Sequence, residues 1–157
     1  MKVQFKLNGR AVTEEVEPYE TLLDFLRERL QVISVKKGCD EGDCGACTIL
    51  LNGKPVRSCL LLAVQMQKKD EVTTVEGLSK PGEPSVIQEA FLEKYGFQCG
   101  FCTPGMILTT KALLDAKPKP TVEEIKDQFE GNLCRCTGYQ QIIESVLRAA
   151  ELKAGRS

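Results

Sequence analysis

Gly38-Cys39-Asp40-Glu41-Gly42-Asp43-Cys44-Gly45-Ala46-Cys47 places three thiols at C-x4-C-x2-C spacing with glycines between them. That pattern describes a loop wrapped around an inorganic group. Gly38, Gly42 and Gly45 leave the backbone free of Cβ clashes and free to take positive φ. Such a loop also lets backbone N–H groups point at sulfur, and hydrogen bonds of that kind tune a metal centre. A fourth thiol, Cys59, follows downstream. Four thiolates suit a 2Fe-2S cluster, and C-x4-C-x2-C with a distant fourth Cys is the plant-type spacing. Zinc also accepts four cysteines, but usually from two C-x2-4-C knuckles, whereas here three thiols share one loop.

The composition around this loop narrows the function. The chain has 157 residues, 42% hydrophobic and 27% charged, which suits a soluble globular protein of one large or two small domains. Its net charge is -1 and its basic runs stop at Lys36-Lys37 and Lys68-Lys69, so no basic field for nucleic acid exists. Met1-Lys2-Val3-Gln4-Phe5-Lys6 alternates polar and apolar residues, unlike a leader peptide. No apolar run approaches the ~18 residues of a membrane span. The expected location is the cytoplasm, where eight cysteines stay reduced and are better explained by metal than by disulfides. Histidine is absent. That excludes a mixed Cys-His zinc site, a Rieske centre, histidine-ligated haem and a histidine-activated nucleophile. Such a chain suits the movement of electrons better than that of protons.

Upstream of the loop, Val3 to Leu7 and Ala11 to Val16 alternate around Asn8-Gly9, a strong hairpin signal. After Pro18, Leu22, Leu23, Phe25, Leu26 and Leu30 recur at helical spacing, with Thr21 as N-cap and Asp24 completing an imperfect capping box. Downstream, Cys47 to Leu51 and Lys54 to Cys59 flank Asn52-Gly53 and predict a second hairpin, which folds Cys59 back beside the loop. Val72 to Val75 adds one more strand. Residues 1–76 therefore read as a small mixed sheet with one helix, the ferredoxin-like β-grasp pattern. Residues 77–84, Gly77-Leu78-Ser79-Lys80-Pro81-Gly82-Glu83-Pro84, form a linker.

Residues 85–157 read as all-α. Val86, Ile87, Ala90, Phe91 and Leu92 make one helical stripe; Met106, Ile107, Leu108, Ala112, Leu113 and Leu114 make another after Pro104. Thr121-x-x-Glu124 is a capping box leading to Ile125 and Phe129, and a last helix runs from about Tyr139 to Ala150. Four helices in one half predict a bundle, making the whole chain α+β. This half carries its own thiols, Cys99-x2-Cys102 and Cys134-x-Cys136, each pair in a break between helices. Two such loops can meet at one end of the bundle and hold a second centre, which by spacing alone is open to zinc or iron-sulfur.

Gln98-Cys99-Gly100-Phe101-Cys102-Thr103-Pro104-Gly105-Met106 and Gly131-Asn132-Leu133-Cys134-Arg135-Cys136-Thr137-Gly138-Tyr139 carry a resemblance. Together they resemble the signature of the iron-sulfur subunits of molybdenum hydroxylases, the xanthine dehydrogenase and carbon monoxide dehydrogenase family. Glu41 to Thr48 resembles that family's plant-type cluster loop, and Val72-Thr73-Thr74-Val75-Glu76-Gly77 its last strand before the linker. The resemblance spans nearly the whole chain and matches all eight cysteines. It implies one 2Fe-2S cluster on Cys39, Cys44, Cys47 and Cys59 in a β-grasp domain, and a second on Cys99, Cys102, Cys134 and Cys136 in a four-helix bundle. It further implies molybdopterin on a large subunit beside the bundle cluster, with Gln98 and Cys136 nearest the pterin. FAD is implied on a medium subunit nearer the plant-type cluster, in a heterotrimer or its dimer.

On this reading electrons pass from molybdenum through the two clusters to FAD, and this chain holds no catalytic residue of its own. No G-x-G-x-x-G fingerprint or phosphate-cradling loop is present for FAD. Cationic candidates for balancing an anionic cluster are Lys36, Lys37, Arg57 and Arg135. Two other classes stay open on the residues alone. A free-standing two-cluster ferredoxin predicts polar surroundings for both clusters, against which Phe97, Phe101 and Met106 make an apolar rim. A zinc-bound scaffold predicts no redox role.

Overall fold

The computed structural model describes residues 1–156. Strands β1 (Lys2–Leu7) and β2 (Arg10–Glu15) pair antiparallel with Leu7 opposite Arg10. Asn8 and Gly9 both take positive φ between them, the geometry of a turn whose twist matches the strands. The same device joins β3 (Thr48–Leu51) to β4 (Lys54–Arg57) through Asn52 and Gly53. Strand β5 (Glu71–Thr73) lies between the hairpins, parallel to β1 and antiparallel to β3, giving the order β2-β1-β5-β3-β4. The mixed sheet is thus the ferredoxin-like one expected. Alternation puts Val3, Phe5, Ile49 and Val72 into one core, under Leu22, Leu23, Phe25 and Leu26.

Three details of this half differ from the sequence reading. The predicted helix is a single turn, α1 (Leu22–Asp24), that widens at once into a π-helical turn over Phe25–Arg29. Thr21 caps it as expected, its hydroxyl oxygen accepting from the Asp24 N–H at 3.0 Å. The Asp24 carboxylate completes no capping box, because it accepts from the Thr21 hydroxyl at 2.9 Å and from Lys37 at 2.8 Å. The last strand stops at Thr73 instead of Val75. Asn8 intervenes: its side-chain oxygen accepts from the Thr74 N–H at 2.8 Å and its amide donates to the Thr74 hydroxyl at 2.9 Å. Val75–Gly77 then turns as 3-10 helix.

The second half folds into four helices: α2 (Val86–Glu93), α3 (Thr103–Ala116), α4 (Val122–Phe129) and α5 (Gln140–Gly155). Thr121 and Glu124 form the expected capping box, and Ser85 with Gln88 forms another at the start of α2. Ala90, Phe91, Met106, Leu114, Ile125, Ile142 and Val146 close a second core. Leu92, placed on the buried stripe by its spacing, faces solvent, since Ile87, Ala90 and Phe91 fill the inner face of α2. Among the described residues no helix is long and apolar enough to cross a membrane.

Helix α3 packs on β3 and β4, and a buried polar knot fastens the two cores there. Asn132, 3% exposed, donates from its amide to the Gly45 carbonyl and to the Thr48 hydroxyl, each at 3.2 Å. Its side-chain oxygen accepts from Thr109 on α3 at 3.0 Å. The Leu133 N–H donates to the Cys44 carbonyl at 2.8 Å. Gly45 takes φ +73°, and a Cβ there would collide with the Gly131 carbonyl, so no larger residue fits. Replacing Asn132 removes three hydrogen bonds and strands buried partners, each worth about 1 kcal/mol or more. Asn132→Ala is expected to lower stability by about 3 kcal/mol, read as a drop in the urea midpoint of the whole chain. An unchanged midpoint would show that the knot is dispensable.

Candidate metal centre

The first ligand loop is held open by its neighbours. Arg27, in the π turn, donates to the Ile33 carbonyl at 3.2 Å and to the Val35 carbonyl at 2.6 Å, fixing the segment that enters the loop. Lys37 pairs with Asp24 at 2.8 Å and Asp40 at 3.2 Å. Backbone N–H groups then converge on two sulfurs. Cys39 Sγ accepts from Cys44 at 3.3 Å and Glu41 at 3.4 Å; Cys44 Sγ accepts from Cys39 at 3.4 Å and Ala46 at 3.5 Å. The donors from Cys44 and Glu41 hold the Cys39 thiol down at about 7.

Cys47 and Cys59 sit on the inner side of the loop, both buried. The β3–β4 ladder places them: Thr48 faces Arg57 across it, and the Ser58 hydroxyl donates to the Cys47 carbonyl at 2.8 Å. A 3-10 turn over Ser58–Leu60 swings Cys59 toward Cys47, as the hairpin reading expected. Burial, followed by the neighbouring Cys47 thiol, pushes the Cys59 thiol up to about 12. Metal binding reverses such a shift by displacing the proton.

The second set lies where the α2–α3 and α4–α5 connections meet. Cys99 and Cys136 face each other with sulfurs 3.6 Å apart on the exposed side, and Cys102 faces Cys134 beneath them. Burial pushes the Cys102 thiol up to about 12, with Cys134 contributing. Cys134 Sγ is 3.2 Å from the Thr137 hydroxyl and accepts from the Thr137 N–H at 3.4 Å. Tyr139 clamps the loop from the start of α5. Its hydroxyl accepts from the Cys134 N–H at 2.9 Å and donates to the Asn132 carbonyl at 3.2 Å. These bonds hold Tyr139 at φ 70°, a conformation that costs a residue with a Cβ about 1–3 kcal/mol.

Each set thus arranges its sulfurs two and two: Cys39 with Cys44, Cys47 with Cys59, Cys99 with Cys136, and Cys102 with Cys134. Two irons bridged by sulfide take two thiolates each, so the paired donor sets fit a dinuclear cluster.

The surroundings redistribute the other candidates. Gln98 is exposed beside Cys99. Phe101 is half exposed and Phe97 half-buried, but Met106 is core and forms no rim. Leu60 and Leu133, unremarked in the sequence, supply the exposed apolar surface next to Cys59 and Cys134. Lys37 is spent on Asp24 and Asp40, Lys36 on the Ile33 carbonyl, and Arg135 is exposed. Asn132, Tyr139 and Thr48 lay inside the recognised motifs without a role; Asn132 and Thr48 take theirs from each other across 84 positions, and Tyr139 takes its own from the loop just before it.

Comparison with known proteins agrees with this architecture. Residues 5–78 match a 2Fe-2S iron-sulfur cluster binding domain and residues 74–147 a [2Fe-2S] binding domain. The fold and these matches define a chain built from two 2Fe-2S-binding modules. The nicotinate dehydrogenase small FeS subunit of Eubacterium barkeri is 52% identical over 95% of this chain and 94% of that protein. Quinoline 2-oxidoreductase from Pseudomonas putida 86 superposes with a TM-score of 0.93 at 41% identity, covering 99% of this chain and 96% of that one. The aldehyde oxidoreductase from Desulfovibrio desulfuricans superposes with a TM-score of 0.95 at 41% identity, covering 99% of this chain but 17% of the larger one. The chain belongs to the family of small iron-sulfur subunits of molybdenum-hydroxylase-type dehydrogenases.

Tyr139→Phe deletes one acceptor and one donor at the second loop. It is expected to cost about 1–2 kcal/mol, with iron lost to a chelator faster from the second set than from the first. Equal rates at the two sets would remove Tyr139 from this role.

Proposed function

We propose that this chain is the electron-transfer subunit of a heteromeric molybdenum hydroxylase. Cys39, Cys44, Cys47 and Cys59 hold one 2Fe-2S cluster, and Cys99, Cys102, Cys134 and Cys136 hold the other. The β-grasp domain ends near residue 76 and the helical domain begins near 85, with 77–84 as the linker. Molybdopterin resides on a large partner subunit that faces Gln98 and Cys136; FAD resides on a medium partner subunit nearer the first loop.

The observation that carries this reading is the pair of thiol sets joined back to back. From the first set to the second, a path of bonded atoms runs through the Cys44 carbonyl, the Leu133 N–H at 2.8 Å and the peptide into Cys134. When bound, the clusters supply one-electron chemistry. The residues of this chain supply the rest. Backbone N–H groups orient the sulfurs of Cys39, Cys44 and Cys134 and offset their negative charge. The exposed Cys99 and Cys136 favour transfer across an interface at that end, and the buried Cys47 and Cys59 keep water from the inner pair. With no histidine in the chain, the usual proton-carrying side chain at neutral pH is missing from both sets.

The test is low-temperature EPR on the dithionite-reduced chain, with iron and sulfide counted in the same sample. Two distinct S = 1/2 signals and about four irons per chain are expected from two dinuclear clusters. Cys136→Ser is expected to abolish or alter one signal and leave the other. One signal with residual zinc would make the helical set structural and end the relay. Both signals in a monomer with no affinity for large and medium chains would make the protein a free-standing carrier.

A further inference from the structure

One cation sits where the two ligand loops meet, and among the described residues no carboxylate pairs with it. Arg57 closes β4 opposite Thr48, so along the chain it lies beside Ser58-Cys59 and across the ladder it lies beside Cys47-Thr48. Its Nη1 donates to the Thr48 hydroxyl at 3.1 Å, and its Nη2 donates to the Gly131 carbonyl in the loop that leads to Cys134. A Cβ on Gly131 would collide with that Nη2, so the guanidinium needs glycine there to enter. Its Nε is buried with no hydrogen-bond partner among the described residues. The ion pairs among the described residues all belong to other cations.

A guanidinium stays protonated in proteins, and taking it from water without a counter-ion is unfavourable. Carbonyl and hydroxyl oxygens satisfy its donors at Nη1 and Nη2 but carry no full charge. The groups next to its partners that would carry negative charge once metal is bound are the cysteines: Cys47 beside Thr48, Cys59 two residues on from Arg57, and Cys134 in the loop that follows Gly131. We infer that Arg57 is a positioning residue for the relay: it spans the two ligand loops and its fixed charge stabilises the reduced clusters. A cluster with four thiolates is anionic and becomes more so on gaining an electron, so a nearby cation raises its midpoint potential. The step is one electron in from the molybdenum side and one electron out toward FAD, with no proton exchanged at Arg57. The ladder position next to Cys47 and Cys59 assigns the larger effect to the plant-type cluster. The inference rests on the relay proposed above.

Redox titration of the full chain, followed by EPR, tests it. In Arg57→Gln the midpoint of the plant-type cluster is expected to fall by a tenfold change in the reduction equilibrium, about 59 mV for one electron. Arg57→Lys keeps the charge while losing the fork that spans both loops, and is expected to fall by less than half as much. Equal falls in the two variants would mean a purely structural role, and an unchanged midpoint in both would remove the charge from the mechanism; either result overturns the inference. Should Arg57→Gln fail to load both clusters, Arg57→Lys decides alone, since a full tenfold fall with the charge retained contradicts it. Zinc or a single cluster in the unmodified chain would instead defeat the relay itself.

Discussion

The Gly45 carbonyl is the point on which both halves of the molecule depend. It accepts from the Thr48 hydroxyl, the Thr48 N–H and the Asn132 amide, and it presses against Gly105 at the start of α3. A carbonyl so crowded is possible only because glycines stand at 45 and 105, where a Cβ would collide with the facing backbone. Once it is satisfied, the loop bearing Cys44 and Cys47 cannot shift without moving the loop bearing Cys134. Two separate hydrophobic cores are thereby made to share one polar seam, and a fully bonded buried seam specifies a single arrangement more sharply than apolar packing does.

Local signals made most of the fold legible. Asn8-Gly9 and Asn52-Gly53 announced both hairpins because their turns demand positive φ from residues that tolerate it. Thr121 with Glu124, and Pro104 in the first turn of α3, marked helix starts by satisfying or lacking the orphan donors there. Spacing likewise grouped the thiols into two sets. What it did not show was the work of residues whose partners are remote. Asn132 reaches Gly45 across 87 positions and Arg57 reaches Gly131 across 74. Neither bond leaves a period or a turn motif in the chain. The short end of β5 was hidden for the same reason, since Asn8, at the end of the neighbouring β1 but 66 positions away in the chain, takes the Thr74 backbone.

The four cations singled out from the sequence illustrate how structure divides residues of one type. Lys36 and Lys37 are consumed in holding the entry to the first loop, on a carbonyl and on two aspartates. Exposed lysine pairs of this kind contribute about 0–1 kcal/mol, so their value is in shaping the loop rather than in stabilising the chain. Arg135 stands in solvent between Cys134 and Cys136. Arg57 alone is drawn inward, and its planar fork explains the choice of arginine, because a single ammonium cannot serve two oxygens on separate loops in fixed directions.

The bond from Leu133 to Cys44 also bears on how the protein is made. Synthesis runs from the N-terminus at about 5–20 residues per second, and domains generally fold as units when they emerge. Here the amino-terminal sheet can form early, since its strands end at Thr73. The Cys44 and Gly45 carbonyls in the loop of the first three cysteines, however, lack their donors from the helical half until Asn132 and Leu133 have left the ribosome. The first three cysteines therefore sit in a loop whose carbonyls gain their full set of donors only with a segment 87 positions downstream of Gly45. The seam that joins the halves in space thus ties the completion of the first loop in time to the folding of the helical half.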